Sequence, residues 1–190
     1  DPLILNFRIK TSSGNIYSSM ANTMRQVFGG MFLPSKYNNE GQNITSGLHV
    51  IPNIPLLNLK NKVIILIQDP TNNYRGSQFE QFVNMSGKGN DGNGLPFVQI
   101  YRNIDIVQAY SPGDIKEENK KFLGITMPDF TKITTNPPGA IHHSYGCQFV
   151  MMNYSIIDPN MKYYLDYFGN NGSAFVLKQH ELNFIIFFHF

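Results

Sequence analysis

The sequence has no tryptophan and a single cysteine, Cys147, among its 190 residues. One thiol cannot build an internal disulfide framework or a CxxC metal site. Charge is scarce too: 15% of residues are Asp, Glu, Lys or Arg, and the formal net charge is +2. So small an excess lacks the basic footprint that nucleic-acid backbones require, and no nucleic acid is expected as a partner. No apolar run approaches the roughly 20 residues that span a bilayer, and the first residues do not read as a secretory leader. What is present is a hydrophobic content of 42% with 13% aromatics, which can build a core and excludes disorder over most of the chain. The length suits one domain or a large piece of one. The chain opens on Asp1-Pro2 without an initiator Met, as expected of a processed product or of part of something longer.

Apolar patterning sets the expected elements. Leu3 to Phe7 and Val63 to Ile67 are continuous runs that read as buried strands. Ile106 to Tyr110, Phe122 to Met127 and residues 147–154 read as three more. Over residues 15–28, Ile16, Met20, Met24, Val27 and Phe28 share one helical face, and Gly29-Gly30 ends it. Further helices are expected over 114–121 and from Met161 to Phe168. Residues 34–58 and 128–145 read as loops, and 69–96 has the Asn, Gly, Ser and Gln content of a linker. Strands alternating with helices predict an α/β chain with a parallel sheet or barrel. The apolar tail from Phe184 to Phe190 needs a packing partner.

Motifs for chemistry are sparse. Gly87-Lys88-Gly89-Asn90-Asp91-Gly92 matches GxGxxG in letters, but a pyrophosphate cradle needs a strand before it and a helix after it, and Gly94-Leu95-Pro96 follows within linker composition, so it does not read as a dinucleotide site. His142 and His143 would point to opposite faces of a strand, and they read as loop histidines without a metal. His180-Glu181 lacks the second His of a zinc helix. Cys147 reads as an inert core thiol rather than a nucleophile. Tyr163, Tyr164, Tyr167 and Phe168 read as core packing, and Lys116 to Lys121 as a solvated helix face. The matches to NxS/T at Asn43, Asn84, Asn153 and Asn171 read as chance in an Asn-rich chain.

A set of ordered segments resembles phosphoinositide-specific phospholipase C. Asn136-Pro137, Gly146-Cys147-Gln148 and the strand through Tyr154 resemble that family's Y-box. Tyr164 to Leu177 with Lys178 resembles the helix, turn and strand piece that follow it. Pro2 to Phe7 resembles the fourth barrel strand, Met20-Ala21 to Phe28-Gly29 the helix after it, and Leu59 to Ile64 the opening of the fifth strand. The resemblance implies a partial TIM-like barrel, α/β in class, holding strands four to eight. Residues 1–68 would end the X-like half-barrel, 69–103 would be the X/Y-type linker, 104–183 the Y-like half-barrel and 184–190 an apolar tail.

The same resemblance implies what is altered. Arg8 stands where the family has a calcium-binding Glu, and a cation there repels calcium. Ile65 to Gln68 carry none of the lysines that meet inositol phosphates. Ser111 and Lys132 are the residual candidates for phosphate binding, and no Tyr lies between Thr131 and Pro138. The catalytic histidines and most calcium ligands would belong to strands one to three, outside this chain. The expected function is therefore a phospholipase C-like protein, non-catalytic in this chain, acting in binding or assembly. The alternatives are the C-terminal half of an active calcium-dependent phosphodiesterase and a structural component of a large assembly. Expected partners are the other barrel half or another chain, with a phosphoinositide membrane surface as a further one. The expected location is cytoplasmic, at a membrane periphery or in an assembly. Open strand edges lead one to expect that the chain does not persist as a lone monomer.

Overall fold

The computed structural model describes residues 1–38, 51, 54–68, 71–87, 98–129 and 135–178. The chain divides into two compact units, Asp1–Phe97 and Val98–Phe190, each with its own parallel three-stranded sheet. All strand pairs are parallel, so the α/β class expected from the alternating elements is the observed one.

In the first unit β1 (Leu3–Arg8) and β3 (Val83–Ser86) flank β2 (Val63–Gln68). Every residue of β2 is buried, which explains why its sequence is a continuous apolar run rather than an alternating one. Each of its five apolar side chains contributes about 1.5–3 kcal/mol by leaving water. Helix α1 (Gly14–Phe28) covers one sheet face with Tyr17, Ala21 and Met24, a spacing of four and then three that forms one stripe. Its partners are Leu5, Phe7, Val63, Ile65, Ile67 and Phe79. Gly29 ends the helix at φ 46°, where its N–H reaches the Arg25 carbonyl; a Cβ would be strained there.

The β2–β3 ladder shifts register between Ile65 and Leu66, and a side chain fills the gap. Asn84 Oδ1 accepts from the Ile65 N–H at 2.9 Å, and Asn84 Nδ2 donates to the Tyr37 carbonyl at 3.1 Å. Asn84 is only 3% exposed, so the match to a glycosylation motif there is incompatible with the folded unit.

In the second unit β5 (Leu123–Met127) lies between β4 (Val98–Arg102) and β6 (Phe149–Val150). Helices α2 (Asn103–Val107), α3 (Pro112–Lys121), α4 (Gly139–Ser144) and α5 (Pro159–Asn171) accompany them. The Gly-Cys-Gln segment is a structural clasp. Gly146 takes φ 80°, and Cys147 is buried beside Asn119. Gln148 Oε1 accepts from the Gly124 N–H at 2.6 Å, while Nε2 donates to the Asn119 and Phe122 carbonyls at 3.2 Å each. Asn136 does similar work after β6. Its backbone N–H and side-chain amide donate to Asp158, and Nδ2 also donates to the carbonyls of Asn153 and Ile156. Asp158 in turn caps α5 by accepting from the Met161 N–H at 2.8 Å.

Four sequence expectations are corrected. Residues 106–110 are not a strand: Ile106 and Val107 end helix α2, which starts where Asp105 Oδ2 accepts the Arg102 N–H at 2.6 Å. That contact closes a helical turn and stops the chain from extending. The strand comes earlier, at 98–102, and another lies at 83–86, so the described part of the stretch read as linker over 69–103 is not merely linker. Residues 147–154 shrink to the two-residue β6, because Asn136 holds the chain beyond it in a turn. Helix α4 also occupies part of the expected loop over 128–145.

Replacing Asn84 with Ala leaves the Ile65 N–H buried without an acceptor. The expected loss is about 1–3 kcal/mol of stability, read as a lower urea midpoint with an unchanged denaturant slope.

Candidate functional site

Side chains at the C-terminal ends of parallel strands are where α/β folds place ligands. In the first unit that edge carries Arg8 at the end of β1 and Gln68 at the end of β2, which are direct partners in the ladder. The odd-numbered residues Leu5, Phe7, Val63, Ile65 and Ile67 pack in the core with α1. By strand alternation Asn6, Arg8, Leu66 and Gln68 occupy the opposite face. Gln68 is 6% exposed, and among the described residues neither its Nε2 nor the buried Oδ1 of Asn6 has a hydrogen-bond partner. Arg8 is exposed.

In the second unit the same edge holds a closed polar network. Arg102 donates through Nη1 to the Pro128 carbonyl at 3.0 Å. Asp129 accepts from Asn103 Nδ2 at 2.8 Å and from the Ile104 N–H at 2.9 Å. Because the Asn103 amide nitrogen faces Asp129, its Oδ1 faces His142 Nε2 at 3.0 Å. His142 therefore carries its proton on Nε2, and its Nδ1 is buried and unpartnered. Burial, reinforced by the neighbouring His143 and opposed by Asp129, lowers the His142 pKa from 6.5 to about 4. The ring is neutral near pH 7. His143 is also shifted down by burial, and its ring lies 4.5 Å from that of Tyr167.

The residues expected from sequence do not converge. Ser111 sits at the exposed N-cap of α3 rather than at a strand end; with the strand at 98–102, Asn103 takes that place. Lys132, most of the GxGxxG segment and His180-Glu181 lie outside the described residues. Cys147 is 4% exposed, and burial pushes its thiol up to about 12, so it is a core thiol. Tyr163, Tyr167 and Phe168 pack with His143 as an aromatic cluster between α4 and α5. Apolar patterning alone does not mark Asn6, Asn103 or Asp129; Gln68 shows only as the polar residue that ends the run from Val63.

Calcium is the ion the resemblance implies, and this edge does not fit it. Calcium takes six to eight oxygen ligands, carboxylates prominent among them, whereas here an arginine stands with two neutral amide side chains, Asn6 and Gln68. Among the described residues no three His, Cys, Asp or Glu side chains cluster as a metal site. Among the described residues no helix is long and apolar enough to cross a membrane.

No protein-family model matches the chain, and no curated protein matches it in sequence. Solved structures do match in fold. The crystal structure of PLC21 from L. pealei superposes with a TM-score of 0.71 at 19% identity, and that of PLC21 from S. officinalis with 0.71 at 18%. In both cases 95% of this chain is covered and 27% of the other, so the chain spans about a quarter of these phospholipase C chains. The fold is thus the partial TIM-like α/β barrel type expected from the sequence, with its described strands hydrogen-bonded as two sheets rather than as a closed ring.

Two expectations follow. A histidine whose folded pKa lies below its unfolded value gives stability that is present above pH 6.5 and lost as pH falls toward 4. The melting temperature should fall across that window, and His142→Gln, which keeps a donor for Asn103, should flatten the fall. Cys147 should react with a soluble disulfide reagent at pH 8 only as fast as the protein unfolds, so that added denaturant accelerates the reaction.

Proposed function

We propose that this chain is a phospholipase C-like α/β unit that does not itself cleave phosphodiesters and serves in binding or assembly. The observation that carries the reading is the makeup of the sheet edges. Phosphodiester hydrolysis with calcium needs clustered carboxylates and a histidine free to exchange protons. Arg8 and Gln68 stand at one edge, and of the described histidines His142 is buried and bonded to Asn103 while His143 packs on Tyr167. The segments most like the family, Gly146 to Gln148 and Asn136, are occupied in holding loops and turns.

A second reading is favoured by one observation: the chain spans 27% of the neighbours' length. In that reading it is the C-terminal barrel half of a calcium-dependent phosphodiesterase whose acid and base lie on strands elsewhere. Among the described residues β1 pairs on one side only, with β2, and such an edge accepts a further strand from a barrel half or another chain. A phosphoinositide surface would then be the partner of the assembled barrel.

Release of soluble inositol phosphate from vesicles containing phosphatidylinositol bisphosphate, with calcium present, tests the choice. Release equal to the protein-free blank is expected. Calcium-dependent release above it would replace the first reading with the second.

A further inference from the structure

We propose that the open long edge of β1 docks a second copy of this chain, joined antiparallel about a two-fold axis at Asn6. This deepens the assembly reading and rests on it, since it names the partner that a non-catalytic chain would hold.

Hydrogen-bond parity defines what the edge offers. Leu3 and Ile9 send their N–H groups to the Lys62 and Gln68 carbonyls, so the odd residues of β1 are those bonded to β2. The even residues Ile4, Asn6 and Arg8 turn their N–H and C=O groups the other way. Among the described residues β1 pairs on that one side only, and an unpaired ladder is a template for another strand. Pro2, the next even residue, has no N–H and ends it.

A second β1 fits the template in one register. With Asn6 facing Asn6, Ile4 faces Arg8, and each pair exchanges both backbone bonds. The intervening pairs are Leu3 with Ile9 and Leu5 with Phe7, apolar matches on the α1 face. The two Arg8 charges fall roughly 14 Å apart along the ladder and barely repel. Asn6 Oδ1 is buried and has no donor among the described residues. The second copy's Asn6, directly opposite and on the same sheet face, brings an amide N–H to it. A strand of another protein would continue the ladder but not this reciprocal amide pair, which only a two-fold axis creates.

The helices fit the same arrangement. Helix α1 packs on Leu5 and Phe7 of β1 and on Val63, Ile65 and Ile67 of β2, so it lies over the gap between those strands. Across the joined sheet the two α1 axes then fall two strand spacings apart, roughly 10 Å. Packed helices lie about 8–10 Å apart. A groove of about 380 Å³ marks the contact. It is lined by Phe7 of β1 and by α1 residues that include Ile16, Met20 and Thr23, and by no residue of β2 or β3, so it opens on the outer side of β1. Ile16 is 47% exposed. The second copy's α1 covers this apolar groove, and the first copy's covers its twin.

Sedimentation velocity of the full chain across the micromolar range tests the proposal. A reversible equilibrium between monomer and a species of twice 21.6 kDa is expected. Ile16→Glu, at an exposed position, should keep the melting temperature and weaken dimerisation about tenfold or more, because it places a charge in the covered groove. Cysteine pairing reads the register. Asn6→Cys sets two thiols across the axis with Cα atoms roughly 5.5 Å apart, and should give a covalent dimer with oxidised glutathione. Ile4→Cys sets them roughly 14 Å apart and should not. Native Cys147 is buried and contributes to neither. A chain that stays monomeric overturns the proposal. So do open-ended aggregates, a dimer unaffected by Ile16→Glu, or equal crosslinking at both positions. A monomer that releases no inositol phosphate from vesicles would overturn this interface alone. A dimer that releases it above the blank would overturn the non-catalytic reading and leave the interface standing.

Discussion

The first unit depends on the burial of β2. Its six residues, Val63 to Gln68, are all out of water, and both neighbouring strands and α1 are positioned by them. A strand so placed cannot tolerate a polar side chain without a partner. Five of its residues obey that constraint. The sixth, Gln68, breaks it with a donor that nothing satisfies. The break falls at the C-terminal end of the strand, where parallel sheets present residues to ligands. A local conflict at such a place is more telling than one in the middle of a core, because natural sequences concentrate their exceptions where function resides.

The second unit solves its polar problem internally. Asn103 joins Asp129 to His142, and Gln148 and Asn136 use side-chain amides to fasten the turns around β5 and β6. These contacts account for the segments that most resemble phospholipase C: they are fasteners of the fold. The fold is similar to that of solved phospholipase C chains at 19% identity. It says nothing of chemistry, which resides in side chains that can change while the scaffold stays.

Much of the architecture was legible in the sequence because burial leaves a periodic trace. The runs at 3–7, 63–67 and 122–127 and the amphipathic α1 are visible as apolar patterns and lie in or largely overlap β1, β2, β5 and α1. The strand at 98–102 was hidden because Val98 and Ile100 alternate with polar residues inside an Asn- and Gly-rich neighbourhood. Ile106 and Val107 imitated a strand because a one-turn helix is too short to show its period; the acidic Asp105, three residues after Arg102, was the available sign. The sheet-edge sites were less legible still. Asn6, inside β1, and Gln68, at the end of β2, look like ordinary polar residues of strands until register places Arg8 beside Gln68, and register depends on contacts far apart in sequence. Arg8 was visible only through resemblance, as a cation in place of an expected carboxylate.

That replacement is the point on which the functional reading turns. Calcium titration of the chain by isothermal calorimetry tests it most directly. A side-chain cation beside an amide donor should give no saturable calcium binding below millimolar concentration, in wild type and Arg8→Gln alike. Sub-millimolar, stoichiometric calcium binding by the wild-type chain would contradict it.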